Sequence, residues 1–243
     1  MLQFICLFLV IAAVSSVKFE FRNREHGTIW IGIQGNPGHP HLKGGGFKLA
    51  RGYSRTIIAP DNWAGRFWGR TYCNDRSNHC LTGDCGNKVQ CNGAGGVPPV
   101  SLAEITLKGA GGLDFYDISF VDGFNIPISF GPVGGRGDGG KYSCRKAQCR
   151  KHLNDRCPKE LKLLSSNGHT LACKSACLAF NTDQYCCRNN FGTPKTCKSS
   201  TWRRNYPQQV FKSQCPDAYS YAYDDHKSTF TCRASKYIVQ FGV

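Results

Sequence analysis

Polar and apolar positions alternate along residues 18–22, where Phe19 and Phe21 sit between Lys18, Glu20 and Arg22. A period of two predicts a strand with one buried face. The β-branched and aromatic run 28–33 predicts a second strand. After a Gly/Pro/His-rich loop at 34–46, the pattern returns at 54–58 and 64–71. Further strands are expected at 101–108, 114–121, 126–130, 228–233 and 237–241. Short strands cut by Gly and Pro predict an all-β sandwich or barrel. Two segments depart from the pattern. Residues 71–99 carry Cys73, Cys80, Cys85 and Cys91 but few large apolar residues, so they read as a loop module held by staples rather than by a core. Residues 144–215 carry nine cysteines and the only helical spacing, Leu171, Ser175/Ala176 and Leu178/Ala179 across 171–180. One or two short helices are expected there. No fixed-period repeat is present.

The alternation also sorts the acidic residues. In 103–107, Ala103, Ile105 and Leu107 share one face, and Glu104 lies on the other with Thr106. In 115–120, Tyr116, Ile118 and Phe120 share a face opposite Asp117 and Ser119. If these segments pair, Glu104 and Asp117 lie on one polar face. Asp122 precedes Gly123, where the strand must turn. Two or three carboxylates on one face are the minimum equipment for glycoside hydrolysis, one protonated as acid and one ionised as base or nucleophile. Polar strand faces also carry Asp and Glu routinely, so periodicity alone does not establish catalysis.

Composition sets the compartment. The apolar run 1–14 is too short to span a bilayer comfortably, and small residues Ser15 and Ser16 follow it. It reads as a secretory signal peptide, residues 1–16, although no basic residues precede it. Cys6 leaves with it, so 15 − 1 = 14 cysteines remain, enough for seven bridges. Zinc is disfavoured: there is no CxxC pair, and an even cysteine count in a secreted chain points to disulfides. Lys and Arg exceed Asp and Glu by 31 − 16 = 15, which suits anionic surfaces. The basic residues are dispersed, and together with the signal this argues against nucleic acid. Arg136-Gly137-Asp138, an adhesion tripeptide in form, lies in a Gly-rich loop, and His39-Pro40-His41 lacks a third ligand; both read as loop chemistry. No GxSxG motif and no Asn-x-Ser/Thr sequon occur.

Asp122-Gly123-Phe124-Asn125-Ile126-Pro127, Thr82-Gly83-Asp84-Cys85, Leu102-Ala103-Glu104, Tyr185-Cys186-Cys187 and Cys215-Pro216-Asp217-Ala218-Tyr219-Ser220-Tyr221 occur in this order. In order and spacing the chain resembles the thaumatin-like proteins of the pathogenesis-related, antifungal class, from about Phe19 to Phe241. The tract Gly35 to Leu42 looks more like animal members, from insects or nematodes, than plant ones. The resemblance implies an all-β fold: a flattened antiparallel β-sandwich core (17–70, 99–150 and 216–243), a small disulfide-stapled loop module (71–98) and a cystine-rich lobe with short helices (151–215). It implies the pairs Cys73–Cys80, Cys85–Cys91, Cys144–Cys232, Cys149–Cys215, Cys157–Cys173, Cys177–Cys186 and Cys187–Cys197. The family's eighth bridge would fall on Glu25 and Gly242, so both partners are absent together and the terminal strands are expected to fray more easily.

The resemblance also implies an acidic interdomain cleft on Arg66, Glu104, Asp117, Asp122 and Asp224, with Arg70 as a rival for the arginine because it shares the strand face. Phe115, Tyr116 and Tyr221 are candidates to stack on sugar rings. The expected activity is binding of β-1,3-glucan or another fungal cell-wall polysaccharide by a secreted, extracellular, monomeric defence protein without cofactor or resident metal. An alternative is weak endo-β-1,3-glucanase action with Glu104 as acid and Asp117, Asp122 or Asp224 as base or nucleophile. A second alternative needs no cleft: adsorption of the basic body to anionic membrane surfaces, with permeabilisation. Inhibition of a protease or amylase is a further family activity for which no loop stands out.

Overall fold

The computed structural model describes residues 16–224 and 228–243; the expected signal segment, with Cys6, lies outside the described residues. Fourteen strands follow in chain order: β1 (Ser16–Asn23), β2 (Ile29–Gly35), β3 (Gly46–Leu49), β4 (Ser54–Pro60), β5 (Ala64–Cys73), β6 (Cys80–Thr82), β7 (Leu102–Thr106), β8 (Asp114–Ser119), β9 (Ile128–Pro132), β10 (Ala147–Cys149), β11 (Lys162–Leu164), β12 (Thr170–Cys173), β13 (Phe230–Cys232) and β14 (Lys236–Phe241). Two short helices, α1 (Ala176–Phe180) and α2 (Asp183–Cys186), stand in the cystine-rich segment.

The strands form two sheets of order β10-β9-β14-β1-β4 and β13-β8-β7-β5-β2-β3, with β6 joined to the end of β5 and a separate β11–β12 hairpin. Alternation in β1 does what it predicts: Val17, Phe19, Phe21 and Asn23 are buried, while Lys18, Glu20 and Arg22 are not. Between the sheets, Phe67 of β5 meets Phe19 at 5.0 Å, Phe21 at 5.1 Å and Trp63 at 5.1 Å between ring centres. One pair, β1 with β14, is parallel, because the chain returns to its first strand only after circling the molecule.

Both faces of β5 are used. Phe67 faces the sandwich, whereas Trp68 and Arg70 point outward and are buried all the same. The residues of the small loop module cover them. Trp68 Nε1 donates to Gly83 O at 2.8 Å. A Cβ on Gly32, opposite Trp68 on β2, would fall 2.1 Å from the indole, so the neighbouring strand must carry no side chain there.

Seven disulfides close the described residues: Cys73–Cys80 and Cys85–Cys91 in the module, Cys157–Cys173, Cys177–Cys186 and Cys187–Cys197 in the lobe, and Cys144–Cys232 and Cys149–Cys215 between distant segments. Glu25 and Gly242 lie against each other without a bridge. A Cβ on Gly242 would fall 2.6 Å from Glu25 N. Arg24 N donates to Phe241 O at 2.7 Å and Gly242 N to Pro127 O at 2.8 Å.

Two expectations are corrected. The helical spacing at 171–180 is only half helix: Thr170–Cys173 is β12, and α1 begins after Ser175, whose Oγ accepts from Leu178 N. Pairing of β12 with β11 overrides the local spacing there. The loop expected through residue 46 gives way to β3, which the apolar pattern did not mark.

Candidate functional site

The central feature is a row of side chains across three paired strands. β5 pairs with β7 so that Arg66 stands opposite Glu104, and β7 pairs with β8 so that Glu104 stands opposite Asp117. Directly opposed residues on one face lie within side-chain reach. The three point away from the core because Phe67, Ala103, Ile105, Tyr116 and Ile118 take the inner face. Arg66 Nε lies 3.4 Å from Glu104 Oε1, and both side chains are about one-third exposed.

Asp122 joins them from a turn. Gly123 N donates to Phe120 O at 2.9 Å, and Gly123 adopts φ +84°. A Cβ there would meet Cys173 O at 2.7 Å and Pro99 Cβ at 2.8 Å, so only glycine fits. Val100 N donates to Asp122 O at 2.9 Å and fixes the backbone. Asn125 completes the support: its Nδ2 donates to Gly69 O and Thr82 Oγ1, both at 2.8 Å, and its Oδ1 accepts from Ser101 N at 3.0 Å. The Asp-Gly-Phe-Asn run is thus a bracket that aims one carboxylate.

These groups line a hollow of about 350 Å³ with Ser119, Val121, Tyr219 and Ala222. Its far wall is the segment 219–222, docked on the end of β8 where Phe120 N donates to Tyr219 O and Tyr219 N to Ile118 O, both at 2.9 Å. A second hollow of about 220 Å³ shares Glu104 and Asp117 and adds Asn36, Thr106, Phe115 and Thr229. The two form one groove across the sheet. Burial pushes the Glu104 carboxyl above the usual range; Arg66 pulls it back, and Asp122 raises it further. Burial likewise raises Asp122, against the pull of Arg66. A carboxyl that holds its proton more tightly than usual, beside accessible solvent, is better equipped to donate a proton or a hydrogen bond.

Most of the remaining expected residues lie elsewhere. Arg70 is fully buried and donates to Trp30 O, Ile31 O, Lys88 O and Val89 O, so the groove arginine is Arg66. Asp224 does not line the groove. Its Oδ2 accepts from Ser220 N at 3.0 Å and Ser220 Oγ at 2.7 Å and pairs with the buried Lys212 ammonium at 3.0 Å. Lys212 is the partner that sequence reasoning did not find, because no motif marks it. Tyr116 is buried in the core and donates to Arg145 O, so it presents no face to a sugar. Phe115 lines the groove, and Tyr221 lies beyond Ala222. His41 Nδ1 accepts from Gly35 N at 3.1 Å. In the Arg136-Gly137-Asp138 loop, the Asp138 carboxylate accepts from Gly140 N and Thr231 Oγ1.

The pattern of the thaumatin family matches residues 23–243. The chain belongs to the thaumatin family. It is 50% identical over 232 residues to "Pathogenesis-related protein 5" of Arabidopsis thaliana, covering 94% of this chain and 91% of that one. It is 49% identical over 225 residues to "Thaumatin-like protein 1" of Pyrus pyrifolia, covering 91% and 88%. These relatives are plant proteins, and they lend nothing to the animal likeness of Gly35 to Leu42. A β-1,3-glucanase domain from Clostridium beijerinckii shares the fold, with a TM-score of 0.52 at 11% identity over 94% of this chain and 98% of that one. As a thaumatin-like, pathogenesis-related protein it carries the disulfide density that fits an oxidising compartment.

Proposed function

We propose that this thaumatin-like protein is a secreted, antifungal defence protein that binds β-1,3-glucan through the groove over β5, β7 and β8. The observation that carries the reading is the Arg66–Glu104–Asp117 row with Asp122 above it. Carboxylates accept hydrogen bonds from vicinal sugar hydroxyls, and a protonated carboxyl donates one back. Phe115 offers an apolar surface beside them.

Hydrolysis is the second reading, and one observation favours it. Glu104 is held above the ordinary carboxylate range, the condition for a general acid at the glycosidic oxygen. The partner carboxylate would be Asp117, across the ladder, or Asp122. Asp224 is excluded from that role by its pairing with Lys212.

The test uses the purified protein and its Glu104→Gln and Asp117→Asn variants with a soluble β-1,3-glucan. Binding and new reducing ends are measured side by side. Binding weakened in both variants, without new ends, establishes a lectin-like groove. New ends that disappear in Glu104→Gln while binding survives establish a glucanase. Absence of both binding and cleavage overturns the groove reading and turns attention to the basic surface, for which adsorption to anionic vesicles is the measurement.

A further inference from the structure

The sheet face that carries the groove carries a second row of side chains further along. Trp30 of β2 stands opposite Arg70 of β5 on one side and Lys48 of β3 on the other. Arg70 is four residues along β5 from Arg66, so roughly 13 Å separates the two rows. The Arg70 guanidinium lies 5.5 Å from the Trp30 ring centre, and Lys48 Nζ lies 4.4 Å from it. One indole thus holds two cations, each attracted to the negative face of the ring. The groove row sets one cation beside carboxylates; this row sets two cations about a neutral ring.

Beside that row, between β3 and the loop module, lies an open hollow of about 530 Å³. Lys48, Lys88 and the amide residues Asn78, Asn87, Gln90 and Asn92 line it, and among the described lining residues none is acidic. Gly46 lines it too, and a Cβ there would fall 3.1 Å from Arg70 Nη2, so a third cation stands directly behind the wall. That cation is fully buried, and burial pulls its pKa down to about 10 although Asp84 pulls it back. A charge in so poorly polarisable a setting is felt further than one in water. The carbonyls of Lys88 and Val89 are spent on it. Asn87 Oδ1 accepts from His79 Nδ1 at 2.8 Å, which leaves the Asn87 amide NH2 for a ligand. The carboxylate nearest Lys48 is that of Asp75, an exposed partner whose pairing contributes little and which an incoming oxyanion can replace.

We propose that this hollow is a second ligand site, separate from the groove, for an oxyanion carried on a sugar chain, such as a uronate, a sulfate ester or a phosphate ester. The ammonium groups of Lys48 and Lys88 take the anion, with Arg70 behind the wall adding to the field. The four amide side chains, each with a donor and an acceptor, take the hydroxyls of the same chain. Two ammonium groups at one hollow suit a polymer charged at successive sugars. The site does not depend on the groove reading, since no residue lines both.

The test compares trigalacturonate with its methyl ester, the same chain without charge, by calorimetry. Expected is binding of the acid at least about tenfold tighter than that of the ester. Lys48→Gln and Lys88→Gln, both at exposed positions, should each weaken the acid about fivefold. Asp75→Asn removes the competing carboxylate and should tighten it about twofold. Lys159→Gln removes the same charge from the cystine-rich lobe and should change nothing. Glucuronate, glucose 6-sulfate, glucose 6-phosphate and glucose share one ring and differ at carbon 6; titrated against the amide signals of Lys88 and Gln90, they rank the three anions, and glucose should shift neither signal. Equal binding of acid and ester, or no binding of either, overturns the site. So does a loss in Lys159→Gln equal to that in Lys48→Gln and Lys88→Gln, which would mean diffuse attraction to the basic body. If inorganic phosphate and sulfate bind as tightly as the sugar-borne anions, the sugar part is overturned. Laminaritetraose binding, unchanged in Lys48→Gln and Lys88→Gln, reads the groove independently of every one of these outcomes.

Discussion

Two regions of this molecule bury acidic side chains, one fully and one in part, and treat them in opposite ways. In the loop module, burial pushes the Asp84 carboxyl up, but the N–H groups of Asn87, Cys80 and Gly86, with His79 nearby, outweigh it, and its pKa lies below the usual value. All three N–H groups donate at 2.9 Å. In the groove, Glu104 and Asp122 are raised by burial, and Arg66 does not fully compensate. The difference separates a structural carboxylate from a poised one. Asp84 is satisfied by the chain around it and organises a segment with almost no apolar core. Glu104 and Asp122 are left short of partners by a scaffold that is otherwise well packed, the arrangement common at sites that act on something else.

The sharpest way to test this contrast is through the charge buried beneath the module, Arg70. Arg70→Met removes the donor to four carbonyls at once and should cost about 3 kcal/mol or more in denaturant unfolding, with amide exchange rising first at Lys88 to Cys91. Asp84→Ala strands three N–H groups and should cost about 2–3 kcal/mol by the same measurement. Glu104→Gln should be neutral or slightly stabilising at neutral pH, within about 0.5 kcal/mol of wild type, while glucan binding falls. If Glu104→Gln costs as much as Asp84→Ala, the contrast collapses and the groove carboxylates are structural.

The pH dependence of melting carries the same contrast with the sign reversed. A carboxyl whose folded pKa is lowered contributes stability above its unfolded pKa and loses it as pH falls toward the folded one. Asp84→Asn should therefore flatten the loss of stability on the acid side of the ordinary carboxylate range. A raised pKa means that the folded chain holds its proton longer, so stability declines as pH rises through the window above the ordinary value. Asp122→Asn or Glu104→Gln should remove that decline. The smallest effect expected is on binding in Asp224→Asn. That variant weakens the Lys212 pair and lowers the melting temperature by a few degrees, but leaves glucan affinity nearly unchanged.

Much of this was readable in the chain where local period and burial agree. Phe19 and Phe21 point inward, Glu104 and Asp117 point outward, and both follow from a period of two. The turn at Gly123 announces itself because only glycine tolerates that backbone beside Cys173. Features made by distant segments were not readable. β12 occupies residues with helical spacing because β11 and the Phe124 backbone pair with it. Lys212 reaches Asp224 from a turn that carries no motif. Arg66 and Arg70 are equivalent by strand face, and only the module lying over Arg70 separates them.

The parallel partner of β1 has a consequence for how the protein is made. β14 lies between β1 and β9, so the middle of one sheet is synthesised after all its other strands. At roughly 5–20 residues per second, about 10–45 s separate the first strand from the last. During that interval β1 and β9 present unpaired edges, the surfaces on which chains aggregate. The sheet therefore stays open until β14 arrives. Deleting Lys236–Phe241 would remove a central strand, not an edge.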